Sequence, residues 1–206
     1  MSLKTAYTTG ARTFAARSMT GLARTRVTPN MLTGAGVTLC AVGAVLVYFE
    51  YRSELLFFWA GGLAFVVGSV LDILDGALAR AGGTQSAFGG FLDSTLDRVG
   101  EGLMLGAIAL VFMRDRQELA LALAVAAIGG SFLVPYARAK AEGLGIKGDV
   151  GIGSRAERVT VIAVGLALAP WGVLPWAIGI LALTAWFTVL QRILHVRREL
   201  RTPTPG

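Results

Sequence analysis

The sequence predicts an all-α integral membrane protein, with six transmembrane helices preceded by an N-terminal amphipathic surface helix. Three observations carry that prediction. Of 206 residues, 54% are hydrophobic and 16% charged, and the mean hydropathy is +0.65, too apolar for an ordinary soluble domain. The apolar residues fall in long blocks without a single charge. Proline and glycine break the longest block where a turn between two helices fits.

The elements follow in order. Residues 1–26 are rich in Ser, Thr, Ala and Arg and free of acid, and Leu3, Tyr7, Phe14, Ala15 and Met19 can share one helical face. That pattern predicts a juxtamembrane helix lying on the bilayer surface. The composition superficially matches an organellar transit peptide, and it lacks the long apolar core of a secretory signal. Thr28, Pro29 and Asn30 mark the break before the first span, since proline suits a first helical turn. Residues 27–49, 55–71 and 119–137 are uncharged, and a further span is expected from about 89 to 113. Residues 159–190 are also uncharged, with Pro170, Gly172 and Pro175 dividing them into two helices. Because one crossing needs about 20 residues, these blocks make six spans. The expected organisation is therefore a surface segment at 1–26, one membrane domain at 27–196 and a basic, disordered tail at 197–206.

Charge sets the orientation. Lys4, Arg12, Arg17, Arg24 and Arg26 precede the first span, and Arg192, Arg197, Arg198 and Arg201 end the last. Arg138, Lys140, Lys147, Arg155 and Arg158 lie between spans four and five, while the turn between five and six has no charge. The positive-inside rule then puts both termini, and the same end of the bundle, on the cytoplasmic side of the cell membrane. The net charge of +6 and pI near 10.1 flank apolar spans, which fits anionic membrane lipid as a partner and argues against nucleic acid. Cys40 is the only cysteine, which excludes an intrachain disulfide or a cysteine metal site. His195, the only histidine, sits among arginines, where a headgroup-facing role is expected.

Four acids stand out against this background. Asp72 and Asp75 are three apart and Asp93 and Asp97 four apart, so each pair shares a helix face. A carboxylate at the centre of a spanning helix costs about 2.5–3.5 kcal/mol on insertion scales. Two facing helices would gather all four, and hard oxygen ligands suit Mg²⁺, Mn²⁺ or Ca²⁺. Two divalent ions per site would balance the charge. Gly76, Gly82, Gly83, Gly89 and Gly90 remove side chains beside these acids, Ala79 continues the smooth face, and Arg80 adds a permanent cation. Metal plus arginine is suited to a phosphoanhydride. The bland alternative is a set of interhelical salt bridges, but only Arg80 and Arg98 lie near enough in sequence, leaving two acids uncompensated. A different class, a divalent-cation or proton transporter, would also use intramembrane carboxylates, although no second cluster completes a path.

The pattern Asp72-x2-Asp75-Gly76-x2-Ala79-Arg80-x8-Gly89-x3-Asp93-x3-Asp97 is similar, at every fixed position, to the signature of the CDP-alcohol phosphotransferases. The resemblance implies a homodimeric membrane enzyme that displaces CMP from a CDP-linked lipid, CDP-diacylglycerol, with an acceptor hydroxyl. It implies that Asp72, Asp75, Asp93 and Asp97 hold Mg²⁺ or Mn²⁺, and that Asp97 also acts as general base. It places Asn30, Thr33, Gly76, Ala79, Arg80 and Ser86 around the CDP moiety. Asn30 and Thr33 also read as ordinary helix-start residues. An alcohol is a poor nucleophile at neutral pH, so a carboxylate must take its proton, and no Ser, Cys or His accompanies the cluster to form a covalent intermediate.

The acceptor is read from the remaining cations. The segments around Tyr136, Arg138, Lys140, Ser154, Arg155, Glu157, Arg158 and Arg192 resemble the phosphatidylinositol-phosphate synthases of that family. The likeness implies inositol phosphate as the phosphorylated polyol acceptor, gripped by Arg138, Lys140, Arg155 and Arg192. Pro135 before Tyr136, and arginine preceding lysine, depart from the expected pattern and leave glycerol 3-phosphate as the alternative acceptor. The simpler reading of these cations is as anchors that snorkel to the interface.

Overall fold

The structure is a computed structural model and describes residues 28–201. The surface helix expected at 1–26 and the tail from Thr202 onward lie outside the described residues. Within them the chain forms six α-helices and no strand: α1 (Pro29–Tyr48), α2 (Glu54–Ala81), α3 (Ala87–Arg114), α4 (Glu118–Gly143), α5 (Arg155–Ala167) and α6 (Leu174–Glu199). Short 3₁₀ turns at Glu50–Arg52 and Ala169–Trp171 join α1 to α2 and α5 to α6.

Four helices, α1, α2, α4 and α6, are long and apolar enough to cross a membrane. Of the six expected spans, the other two helices fall outside these four. Helix α3 has the length, at 28 residues, but its first turns carry Asp93, Asp97 and Arg98. Helix α5 has 13 residues, about 20 Å, which is shorter than a ~30 Å hydrocarbon core. It ends at Ala167 because Pro170 cannot continue a helix and Gly172 turns the chain with φ 73°. Helix α6 also runs to Glu199, three residues beyond the expected boundary at 196, so Arg197 and Arg198 belong to its last turn.

Because consecutive helices alternate in direction, one end of the bundle gathers the starts of α1, α3 and α5 with the ends of α2, α4 and α6. The apolar core fills the opposite half: Phe65, Met104, Ile108, Phe112, Ile162, Leu166 and Ile178 are all buried there. Between helices already in lipid, dispersion and close packing supply the attraction. The far end is closed by Arg114, which pairs with the buried Glu50, donates to the Tyr48 carbonyl at 2.9 Å and lies over the Tyr51 ring at 4.8 Å.

The seam between α1 and α2 sets the position of the carboxylates. A Cβ on Gly36 would come within 2.8 Å of the Gly68 carbonyl oxygen, and one on Gly68 within 2.6 Å of the Gly36 oxygen. Only glycine lets the two backbones touch in this way. That contact draws the start of α1 against the last turns of α2, where Asp72 and Asp75 lie.

Candidate active site

Two helix ends and one tight turn build the site. Helix α2 carries Asp72, Asp75, Gly76, Ala79 and Arg80 in its final turns. It stops at Gly82, and Gly83 takes φ 63°, a left-handed conformation that glycine adopts without strain. The turn is closed by Thr84 N–H donating to the Ala79 carbonyl at 3.0 Å. Ser86 then caps α3, its Oγ accepting from Gly89 N–H at 2.9 Å, and α3 presents Asp93 and Asp97. Thr28, not Asn30, caps α1, accepting from Met31 N–H at 3.3 Å.

Oxygen atoms of Asp72, Asp75 and Asp93 lie within 4.8 Å of one another. Asp72 and Asp75 are buried at 8% and 2% exposure, so this is not a cluster of solvated surface acids. Thr33 donates its hydroxyl to Asp75 Oδ2, while Asp75 Oδ1 is buried with no hydrogen-bond partner. An unpartnered buried carboxylate oxygen beside two more carboxylates is a donor set made for a hard cation. The residues present therefore fit a divalent metal.

Asp97 stands to one side of that trio. Arg155, from the start of α5, bridges Asp72 and Asp97, reaching Asp97 Oδ1 at 2.6 Å with Nη2. The salt-bridge alternative is thus met in part by a cation 83 residues from Asp72, which no local spacing reveals.

Cavities open on both sides of this wall. The first, about 500 Å³, is lined by Asn30, Thr33, Gly76, Ala79, Arg80 and Ser86, together with Asp75 and Asp93. All six residues expected around the CDP moiety meet there, joined by Thr84 and Gln85 of the turn. The second, about 480 Å³, is bounded by Asp97 and by Arg138, Arg155 and Arg192. Both volumes suit small-molecule ligands.

Lys140, the fourth cation expected with these, is not among them. It lines the neighbouring apolar groove between α4 and α6, its ammonium 5.8 Å from the Tyr136 ring. Arg138 is half exposed and paired with Glu142 at 2.8 Å and Asp149 at 3.4 Å. Buried Arg192 donates to the carbonyls of Val150, at 2.9 Å, and Val134. Both are neutral acceptors, which leaves its charge for an anion. Pro135 does not end α4, which continues to Gly143. His195 meets the Lys147 carbonyl at 3.1 Å, away from the carboxylates.

Sequence reasoning passed over Arg98 and Glu101 as cavity residues, and it offered Arg158 among the cations at the helix ends without giving it a place in the acceptor's phosphate pocket. The signals were present: Arg98 follows Asp97 directly, Glu101 is four residues beyond it, and Arg158 is three beyond Arg155. Arg158, whose simpler reading was an interfacial anchor, is buried against Glu101 at 2.8 and 3.0 Å.

Comparison with known proteins places this geometry. A family model described as CDP-alcohol phosphatidyltransferase matches residues 26–191. The archaetidylinositol phosphate synthase of Methanothermobacter thermautotrophicus is 40% identical over 145 residues, covering 68% of this chain and 71% of its own. The phosphatidylinositol phosphate synthase of Cutibacterium acnes is 37% identical over 189 residues, covering 86% and 89%. The solved phosphatidylinositol phosphate synthase of Mycobacterium tuberculosis is 26% identical. Its structure with CDP-DAG bound matches with a TM-score of 0.77 over 88% of this chain and 92% of that one. Its complex with manganese and citrate matches with a TM-score of 0.77 over 89% and 88%.

Proposed function

The chain belongs to the CDP-alcohol phosphatidyltransferase family, and from that premise we propose that it transfers a phosphatidyl group from CDP-diacylglycerol to a hydroxyl of inositol phosphate, releasing CMP. One observation carries the reading. A wall of carboxylates separates two cavities, one smooth and opening on Asp75 and Asp93, the other rich in arginine and opening on Asp97. A transfer between two anionic substrates needs this division. The relatives named above are phosphatidylinositol phosphate or archaetidylinositol phosphate synthases, which supports inositol phosphate over glycerol 3-phosphate.

The donor's nucleotide and diphosphate lie in the first cavity, against Gly76 and Ala79, with Arg80 on the diphosphate. Asp72, Asp75, Asp93 and Asp97 would hold two divalent ions, Mg²⁺ or Mn²⁺, which would supply positive charge to the diphosphate and polarise its phosphorus. The acceptor's phosphate sits among Arg138, Arg155 and Arg192 in the second cavity, which brings a ring hydroxyl to Asp97. Asp97 takes the hydroxyl proton as that oxygen bonds to the phosphorus bearing the diacylglycerol. The bond from that phosphorus to the CMP oxygen breaks, and its electron pair leaves with CMP. Arg80 and Arg155 steady the charge that builds on each side of the wall. Held so, the step is direct and needs no nucleophile from the protein.

This reading places the six helices as one membrane domain, with α3 and α5 completing the bundle beside the four apolar spans. It also places the carboxylate end on the cytoplasmic side, in a homodimer. The positive-inside distribution of Lys and Arg supports the orientation.

The test is CMP release from CDP-diacylglycerol by purified protein with Mg²⁺ or Mn²⁺. Inositol phosphate, glycerol 3-phosphate, inositol and serine are offered separately. Release with inositol phosphate alone is expected. Release with glycerol 3-phosphate alone would keep the chemistry and change the acceptor, and a metal-dependent ion flux without CMP release would mark a transporter.

A further inference from the structure

We infer that Glu101 and Arg158 are positioning residues for the acceptor site, a buried strut that holds Arg155 at the carboxylate wall. The inference rests on the transfer reading above. Glu101 lies one turn beyond Asp97 on α3, and Arg158 lies one turn beyond Arg155 on α5. Two rungs therefore cross between the same two helices: Asp97 to Arg155 at 2.6 Å, and Glu101 to Arg158 at 2.8 and 3.0 Å.

The rungs differ in their surroundings. In the outer one the side chains are 30% and 18% exposed, open to the second cavity. In the inner one both are 7% exposed, and Arg158 Nη1 also donates to the Gly153 carbonyl at 2.9 Å. A two-pronged guanidinium–carboxylate contact fixes rotation as well as distance. The backbone of α5 packs against α2 and α6. Side chains reaching across hold its spacing from α3, apolar ones such as Ile162 and Met104 deeper in the core and, at the site end, this buried ion pair.

The start of α5 is tied to the same strut. Ser154 and Glu157 form a reciprocal cap, with Ser154 N–H donating to Glu157 at 2.7 Å and Glu157 N–H to Ser154 Oγ at 3.4 Å. Gly153 sits hard against α6, since a Cβ there would lie 2.7 Å from Thr188 Oγ1. Arg158 thereby joins α3, the loop before α5 and the turn that carries Arg155. The Arg155 side chain is long and 30% exposed, so a small shift of its helix moves the guanidinium off the acceptor phosphate. An error of about 1 Å at such a group can cost on the order of a hundredfold.

The experiment compares parent protein with Glu101→Gln, Glu101→Leu/Arg158→Met, Arg155→Ala and Arg155→Ala/Glu101→Gln. CMP release is measured against inositol phosphate and against CDP-diacylglycerol, and binding of inorganic phosphate with Mg²⁺ present is measured by calorimetry. The Leu/Met pair replaces the strut with apolar bulk and keeps a folded protein even where Glu101→Gln, leaving Arg158 buried alone, does not. Expected are a rise of about ten- to a hundredfold in the acceptor KM, a donor KM within twofold, and phosphate binding weakened in parallel. In the Arg155→Ala background Glu101→Gln should add nothing, because the strut acts through Arg155. Donor and acceptor KM rising together, or an undiminished effect without Arg155, would overturn the inference. Phosphate affinity unchanged in the Leu/Met protein would do so too, whatever the activity. A parent that binds phosphate through Arg155 and Glu101 but releases no CMP would instead remove the transfer reading and leave the strut standing.

Discussion

The two cavities share one wall and are otherwise built from opposite materials. The first is lined by one arginine against two aspartates, with small side chains and the ends of α1 and α3 making up the rest. The second is lined by five arginines against four acids, several already paired. An anionic diphosphate entering the first meets excess negative charge and binds only once a divalent cation has reversed its sign. A phosphate entering the second meets guanidinium groups directly. On the proposed reading the donor is recognised through metal and shape, the acceptor through protein charge, and the two affinities should separate under mutation.

Breaking the wall itself should have the largest effect. Asp97→Asn keeps the size of the side chain and removes its capacity to take a proton, so the rate of CMP release should fall about 100- to 10,000-fold. Asparagine keeps a ligand oxygen but gives up the charge, so the rate is compared at saturating Mg²⁺ and saturating substrates, where the loss falls on the chemical step. Removing the metal with a chelator should also abolish turnover, but through the first cavity: binding of CDP-diacylglycerol should be lost while inorganic phosphate still binds the second. Asp97→Asn turning over within twofold of the parent would reassign the base.

The next effect separates the cavities from the other side. Arg155→Ala removes a charge-assisted contact with the acceptor phosphate, of about 1.5–3 kcal/mol, so the acceptor KM should rise about 10- to 150-fold with the donor KM unchanged. The same change should tighten Mn²⁺ binding, read by calorimetry on protein without substrate. Arg155 is bonded to Asp72 and Asp97 and competes with a cation for their oxygens. Weaker Mn²⁺ binding in that variant would mean that Arg155 organises the metal ligands rather than competing with them.

A smaller and more selective effect should come from Gly76→Ala. An added Cβ there meets only the flexible end of Arg80, 3.4 Å away, so the protein itself has room for it. Alanine is favoured over glycine within a helix by about 0.8–1.0 kcal/mol, so stability should hold or rise slightly. The methyl group projects into the nucleotide cavity, and the donor KM should rise about tenfold with the acceptor KM untouched. A loss of thermal stability would show that Gly76 serves packing instead.

What was legible in the sequence divides along the same wall. The carboxylates were readable because they lie on two adjacent helix ends within 26 positions, Asp72 to Asp97, and local periodicity fixes which of them share a face. The break before α1 and the Pro170–Gly172 turn were readable for the same reason, since proline and glycine act on their own backbone. The acceptor side depends on α3, α4, α5 and α6 meeting across long stretches of chain. Arg155 reaching Asp72 and the burial of Arg158 against Glu101 are tertiary facts with no local signal strong enough to fix them. The division of residues 159–190 into two helices was readable as well, but an uncharged run reads alike in a helix that crosses a bilayer and in one of 13 residues.

One error on the acceptor side was avoidable, and it gives the smallest predicted effect. Arg138 and Lys140 are two residues apart, about 200° around a helix axis, so they cannot face one cavity. The structure turns Arg138 toward the second cavity and Lys140 toward Tyr136 and the apolar groove. Arg138→Ala should raise the acceptor KM only about 1.5- to fivefold. Its charge is already shared with Glu142 and Asp149, and an exposed contact of this kind is worth about 0.2–1 kcal/mol. Lys140→Ala should change neither KM beyond twofold. If Lys140 proved the stronger of the two in acceptor binding, α4 would have to rotate by nearly half a turn when substrate binds, and Pro135, which removes one helical hydrogen bond just before them, would be the place for it to yield.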